Sequence, residues 1–356
     1  WVGVMAVSAG VLILSYYSVI AGWTITYIPK AFLGEFVGTD ATSISKLFDD
    51  FVANPGSVIL AHTIFMAINY FIIASGVKGL EKAVRFLMPG LLLLLFILFL
   101  YSLTSGSFLD GVKFMFTPNF NALNWDGVLT AMGLACFTLS IGMGAIMAYG
   151  AYLPQETSIT NATVSVVIAD TGIAMLAGLV IFPLVFANGL NPGEGPDLVF
   201  KTLPLVFGQM QVGTFLATIF FVLLSFAALT SALGLMEPAV AWMIESTEYT
   251  RKQCAATIAS IIWFLGLGSA LSFNTMADFK FLNGTIYENV DFLTSNIMLP
   301  LGAVFTTFFA AWIMSKNSTS EELDGHSLTY NIWRFLAKYF SPIAILIIFL
   351  QAIGWI

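Results

Sequence analysis

Charge is scarce in this sequence. Asp, Glu, Lys and Arg make up 9% of its 356 residues, whereas 58% are hydrophobic. Soluble domains carry about 25% charged residues, so the composition excludes an ordinary soluble fold. Cysteine is rarer still: Cys136 falls inside an apolar segment and Cys254 at the start of another. Their different depths argue against a disulfide, and no metal-ligand spacing exists. His62 and His326 lie near opposite faces. No nucleophile, base and orienter occur together, which argues against catalysis. The basic residues are scattered and the net charge is −7, which excludes a nucleic-acid patch. No signal peptide is visible. The chain opens at Trp1, already inside an apolar helix, which predicts an N-terminally incomplete sequence.

Long apolar runs dominate instead. They predict nine membrane helices, at roughly 2–28, 57–77, 83–105, 127–153, 162–187, 212–243, 253–273, 288–315 and 333–355. Most exceed the ~20 residues needed to cross, so several are tilted or extend past the lipid. The predicted architecture is all-α: a polytopic helix bundle in the lipid bilayer, one membrane domain over 1–356. Lys78, Lys82, Arg85, Arg251, Lys252, Lys316, Arg334 and Lys338 gather on one side, against Lys30, Lys46, Lys113, Lys201 and Lys280 on the other. The positive-inside rule then predicts a cytoplasmic N-terminus and an outer C-terminus in a multi-pass plasma-membrane protein. A turn cluster, Asn191-Pro192-Gly193-Glu194-Gly195-Pro196, lies in a long outer loop.

The fourth apolar run carries Phe137-Thr138-Leu139-Ser140-Ile141-Gly142-Met143-Gly144 near its centre. Two glycines and two hydroxyls weaken a helix at bilayer depth. Unwound backbone is tolerated there only where it lines a protein-enclosed cavity. Discontinuous helices of this kind present backbone groups to substrates and ions in secondary transporters. Small residues at a helix–helix seam are the plainer alternative. The sixth run places Thr230 and Ser231 side by side, one turn after Ala227. Hydroxyl and carbonyl oxygens suit a hard cation such as sodium. The same hydroxyls also bond back to their own helix. Asp170 and Glu237 are carboxylates inside spans, where acids are costly and are functional candidates by default. Asp170 near a helix end would simply meet water, while Glu237 could pair across helices or reach a wet vestibule. Tyr16 and Tyr17 precede Ala21-Gly22-Trp23. A phenol can pack on a substrate and donate to its carboxylate, or it can serve bundle packing alone.

In order along the chain, these segments resemble the neurotransmitter:sodium symporter family, specifically its bacterial amino-acid members with the LeuT fold. The matching residues include Tyr16-Tyr17 with Gly22-Trp23, Gly79-Leu80-Glu81-Lys82 with Met88-Pro89, and Thr117-Pro118-Asn119-Phe120. Phe137 through Gly144, Tyr149, Tyr152, Ala177-Gly178, Ile181-Phe182-Pro183, Gly213-Thr214-Phe215 and Leu229-Thr230-Ser231 continue the set.

The resemblance implies a LeuT-like inverted repeat and sodium-coupled symport of a neutral amino acid by alternating access. It implies sodium ions, no organic cofactor and no enzyme activity, and it allows a homodimer. The nine spans would be family helices three to eleven, with the first two lacking. It implies that Tyr17 contacts the substrate carboxylate, with Ile13 one turn below. Phe137 would lid the pocket, Ser140 would meet substrate through unwound backbone, and Met143, Ser231 and Leu235 would shape the pocket. Thr138, also at the substrate, and Asp170 would serve one sodium ion, and Ala227, Thr230 and Ser231 the second. Asp291 would act at the outer gate, Tyr152 and Glu245 at the inner gate. Two positions depart from the family pattern: Leu134 stands where glutamine is frequent, and Asp170 where asparagine is. The competing readings are a truncated membrane remnant that transports nothing and a membrane-embedded enzyme.

Overall fold

The structure is a computed structural model that describes residues 1–355 except 122, 155, 191–194, 283 and 324–327. Most of the predicted turn cluster and His326 therefore lie outside the described residues. Among the described residues, eight helices are long and apolar enough to cross a membrane. These are α1 (Val2–Phe32), α3 (Pro55–Ala74), α4 (Val77–Ser102), α8 (Ile159–Ala187), α9 (Gly213–Ser246), α10 (Arg251–Leu271), α11 (Ile286–Ile313) and α13 (Leu328–Ala352). Shorter helices are α2 (Ala41–Ala53), α5 (Phe108–Phe116), α6 (Trp125–Thr138), α7 (Ala145–Ala151) and α12 (Lys316–Glu322). The remaining predicted span, 127–153, is not one helix but the pair α6 and α7.

Local chemistry sets several helix starts. Asn54 Oδ1 accepts from Ser57 N at 3.1 Å with Pro55 in the first turn, which satisfies an orphan donor of α3. Thr250 and Gln253 form a reciprocal capping box at the start of α10. Inside the spans, helices satisfy their own backbone, as a bilayer requires.

Packing separates a core pair from the periphery. In the most apolar stretch of α9, 67% of residues are buried, and in α1 56%, against 6% in α8. Helices apolar all round belong at the centre of a bundle. Among the described residues, α1 and α9 pack more extensively against each other than any other pair of helices. Trp23 anchors one half of this interface, edge-to-face with Phe48, Phe200 and Phe273. At Gly22, α1 approaches α3 so closely that a Cβ would lie 2.7 Å from the Ala61 carbonyl oxygen. The buried Thr24 and Ser225 hydroxyls pair at 2.8 Å and tie α1 to α9.

Candidate functional site

The helical ladder that starts at Asn124, whose side chain accepts from Gly127 N, stops at Thr138. Leu139 to Gly144 are non-helical before α7 begins. Ser140, Gly142 and Gly144 all adopt positive φ, at 54°, 87° and 79°. For serine this left-handed conformation costs on the order of 1–3 kcal/mol and persists only where surroundings hold it. The break leaves the last carbonyls of α6 and the first amides of α7 without helical partners. Such groups are the ligands that a buried polar substrate or ion needs.

Three contacts hold the break in place. A Cβ on Gly142 would lie 2.5 Å from the Leu299 carbonyl oxygen, and one on Gly302 2.9 Å from the Gly142 oxygen. The unwound chain thus rests backbone to backbone on α11. On the other side, a Cβ on Gly10 of α1 would sit 3.2 Å from Leu235 O and 3.6 Å from Met143 O. Here α1, α9 and the break converge. Ile13, Met143, Leu235 and Leu299 are buried in one cluster at this junction. We expect Gly302→Ala to displace the break. Overpacking costs about 1–3 kcal/mol, so a ligand held by the break should bind roughly five- to 150-fold more weakly. Circular dichroism should show an intact fold. Unchanged half-saturation would mean that the contact does not position the break.

Two cavities hold residues singled out from the sequence. One, of about 420 Å³, is lined by Tyr17, Thr24, Ala227, Ala228, Ser231 and Tyr287 among others. It brings the predicted Tyr17, Ala227 and Ser231 together. Thr230 sits one turn from Ala227 and donates to its carbonyl oxygen at 2.9 Å. A donating hydroxyl keeps its lone pairs for a cation, so this bond and ion binding are compatible. The other cavity, of about 540 Å³, is lined by Phe137, Leu134, Ser295, Asn296 and Leu299 among others. Phe137 therefore faces a different cavity from Tyr17. Met143 lines neither cavity, being buried in the core cluster. Thr138 closes α6 and is exposed, its hydroxyl 3.4 Å from Ala135 O. Asp170 lies half-buried in the first half of α8. Asp291 accepts from Ser295 Oγ at 3.0 Å. No ion pair among the described residues involves Asp291.

The opposite end of the bundle holds a cluster only half anticipated. Tyr152 donates to Glu237 Oε1 at 3.2 Å. Arg251 Nη2 meets Glu237 Oε2 at 2.5 Å, and Arg251 Nε donates to Ile73 O at 2.9 Å. Glu237 is fully buried. Glu245, two turns further along α9, is exposed and takes part in no ion pair among the described residues. The carboxylate that meets Tyr152 is thus Glu237. The sequence signal for it was an acid inside a span, immediately before Pro238.

The sequence profile of the sodium:neurotransmitter symporter family matches residues 34–355. The chain belongs to this family. The sodium-dependent transporter YhdH of Bacillus subtilis (strain 168) is 36% identical over 99% of this chain and 79% of its own length. A sodium-dependent transporter of Haemophilus influenzae (strain Rd) is 31% identical over 98% of this chain and 78% of its own. The crystal structure of MhsT in complex with L-phenylalanine superposes with a TM-score of 0.90 at 40% identity. That match covers 99% of this chain and 80% of MhsT. The symporter family, the LeuT-like helical fold and the multi-pass membrane character expected from sequence are therefore the ones found. The protein is a sodium-dependent transporter and not an enzyme. The expectation that the first two family helices are lacking is not borne out.

Proposed function

We propose that this family member couples sodium entry to the uptake of a neutral amino acid across the plasma membrane by alternating access. The observation that carries the reading is the broken helix, docked by glycine contacts between α1, α9 and α11. A cavity lined by Tyr17, Ala227 and Ser231 adds a phenol and a hydroxyl. A zwitterion needs donors for its carboxylate and acceptors for its ammonium, whereas an uncharged side chain needs apolar walls. Tyr17 supplies the donor, and closure of the site brings the carbonyls of the break, with Ile13, Phe137, Met143 and Leu235, to the substrate. Ser140 contributes backbone and Ser231 a hydroxyl. Sodium meets Thr138 and Asp170 at one site, and Ala227, Thr230 and Ser231 at the other. MhsT, whose structure holds L-phenylalanine, supports this substrate class.

In this proposal the chain is one membrane domain with its N-terminus cytoplasmic and its C-terminus outside. Asp291 closes the outer side. Tyr152 closes the inner side with Glu237, while Glu245 remains nearer the water. Organic cofactors have no role in this cycle.

The test is uptake into proteoliposomes under an inward sodium gradient, with a competition panel. Neutral amino acids should compete, and glutamate and lysine should not. Equal competition by charged amino acids would reject the substrate class. A companion prediction concerns Asp170. A fixed carboxylate near sodium supplies negative charge, and a unit pair at close range is worth about 4 kcal/mol at moderate effective dielectric. Uptake should therefore persist when gluconate replaces chloride. Asp170→Asn should weaken uptake and make it respond to added chloride. A strict chloride requirement in the unmutated protein would refute the assignment.

A further inference from the structure

The first turns of α13, beside the end of α11, carry two cations that the proposed transport cycle does not use. Lys338 Nζ lies 4.1 Å above the Trp312 ring and 5.5 Å from that of Tyr339. The platform is built rather than incidental. Trp312 Nε1 donates to the Lys338 carbonyl at 3.2 Å, and its ring stacks on Phe308 and meets Tyr339 edge-on. One turn earlier, Arg334 Nη1 donates to Tyr330 Oη at 2.9 Å and Thr319 Oγ1 at 3.3 Å. These hydroxyls orient the guanidinium without neutralising it. Among the described residues, ion pairs engage Lys30, Arg85, Lys201 and Arg251, but neither Arg334 nor Lys338. The neighbouring α12 contributes Lys316, Glu321 and Glu322, all exposed and in no ion pair with either cation.

Both cations are half-buried in the opening turns of an apolar membrane span. Residues four apart on a helix share a face. Tryptophan and tyrosine rings gather at headgroup depth. A fork of guanidinium donors beside a point-charge ammonium matches a phosphate held between them.

We infer that Arg334 and Lys338, on the Trp312–Tyr339 platform, bind the phosphodiester of an anionic membrane phospholipid. The aromatic floor and the adjoining span favour the lipid source, because acyl chains can lie along α13 while the phosphate meets the cations. The net negative headgroup matters: a zwitterionic lipid brings its own ammonium, which competes with Arg334 and Lys338.

The full chain in detergent should retain dioleoylphosphatidylglycerol in native mass spectrometry in preference to dioleoylphosphatidylcholine. Each interfacial Lys or Arg contributes about fivefold to anionic-lipid binding. Lys338→Gln should therefore lower phosphatidylglycerol affinity about fivefold, and Arg334→Gln with Lys338→Gln roughly 25-fold. Trp312→Leu provides a second variant if loss of the Arg334 contacts prevents folding. It should weaken retention by letting the ammonium move. Lys46→Gln removes the same charge on α2 and should change nothing. The inference is overturned by unchanged affinity in Lys338→Gln, or by equal loss in Lys46→Gln. It is also overturned if sn-glycerol 3-phosphate displaces the lipid at equal concentration, since the site would then take a soluble phosphate.

Discussion

Glu237→Ala is expected to destabilise the protein by about 3–5 kcal/mol, because it strands Arg251 beside an empty buried site. The Glu237 carboxylate is fully buried, and both its oxygens are used, one by Arg251 and one by Tyr152. Arg251 itself is 21% exposed, so some of its charge reaches water and the lower part of the range applies. Glu237→Gln keeps an acceptor for Tyr152 and should cost less. Removing both charges, in Glu237→Ala with Arg251→Ala, should recover part of the loss, since an empty pair is cheaper than an orphaned charge. Thermal unfolding of the three variants in detergent measures this order. A Glu237→Ala variant as stable as the parent would show that water solvates Arg251 and that the pair contributes little. If the pair also closes the inner side, the double variant should hold open the pathway from that side. Cysteine labelling at α7 would read this.

Thr230→Val combined with Ser231→Ala has the second large expected effect. It removes two oxygens from α9 while nearly preserving volume. Sodium stimulation of uptake should disappear, or half-saturation should shift by at least about tenfold, the equivalent of 1.4 kcal/mol. Thr218→Val on the same helix provides the control. Its hydroxyl is bonded back to Thr214 O at 2.7 Å and lies outside the cavity of Tyr17. Sodium dependence identical to that of the parent in the double variant would remove the second ion site from α9. A loss in Thr218→Val as large as in the double variant would point to general damage to α9.

The break in the fourth apolar run was readable because its cause is local. Glycine at 142 and 144 carries no Cβ penalty at positive φ, so the residues announce the conformation. The hydroxyl pair Thr230-Ser231 was readable as a candidate for the same reason. The choice between Glu237 and Glu245 was not. Both lie on α9, and α9 alone does not say which one meets a cation from the next helix and a phenol 85 residues earlier. Similarly, Phe137 and Tyr17 were assigned to one pocket, and the structure places them on separate cavities.

Hydropathy and helix-breaking residues by themselves determined the membrane class, the approximate spans and the place of the break. They do so because in lipid each helix must satisfy its own backbone, which makes spanning a property of contiguous residues. Tertiary structure alone decided what the break rests on and which acid is buried. Gly142 meets Gly302 and Leu299, and Glu237 meets Tyr152 and Arg251, only because crossing helices bring remote backbone and charge within van der Waals or hydrogen-bonding reach. Those distances depend on how helices pack against one another, and no run of neighbouring residues encodes them.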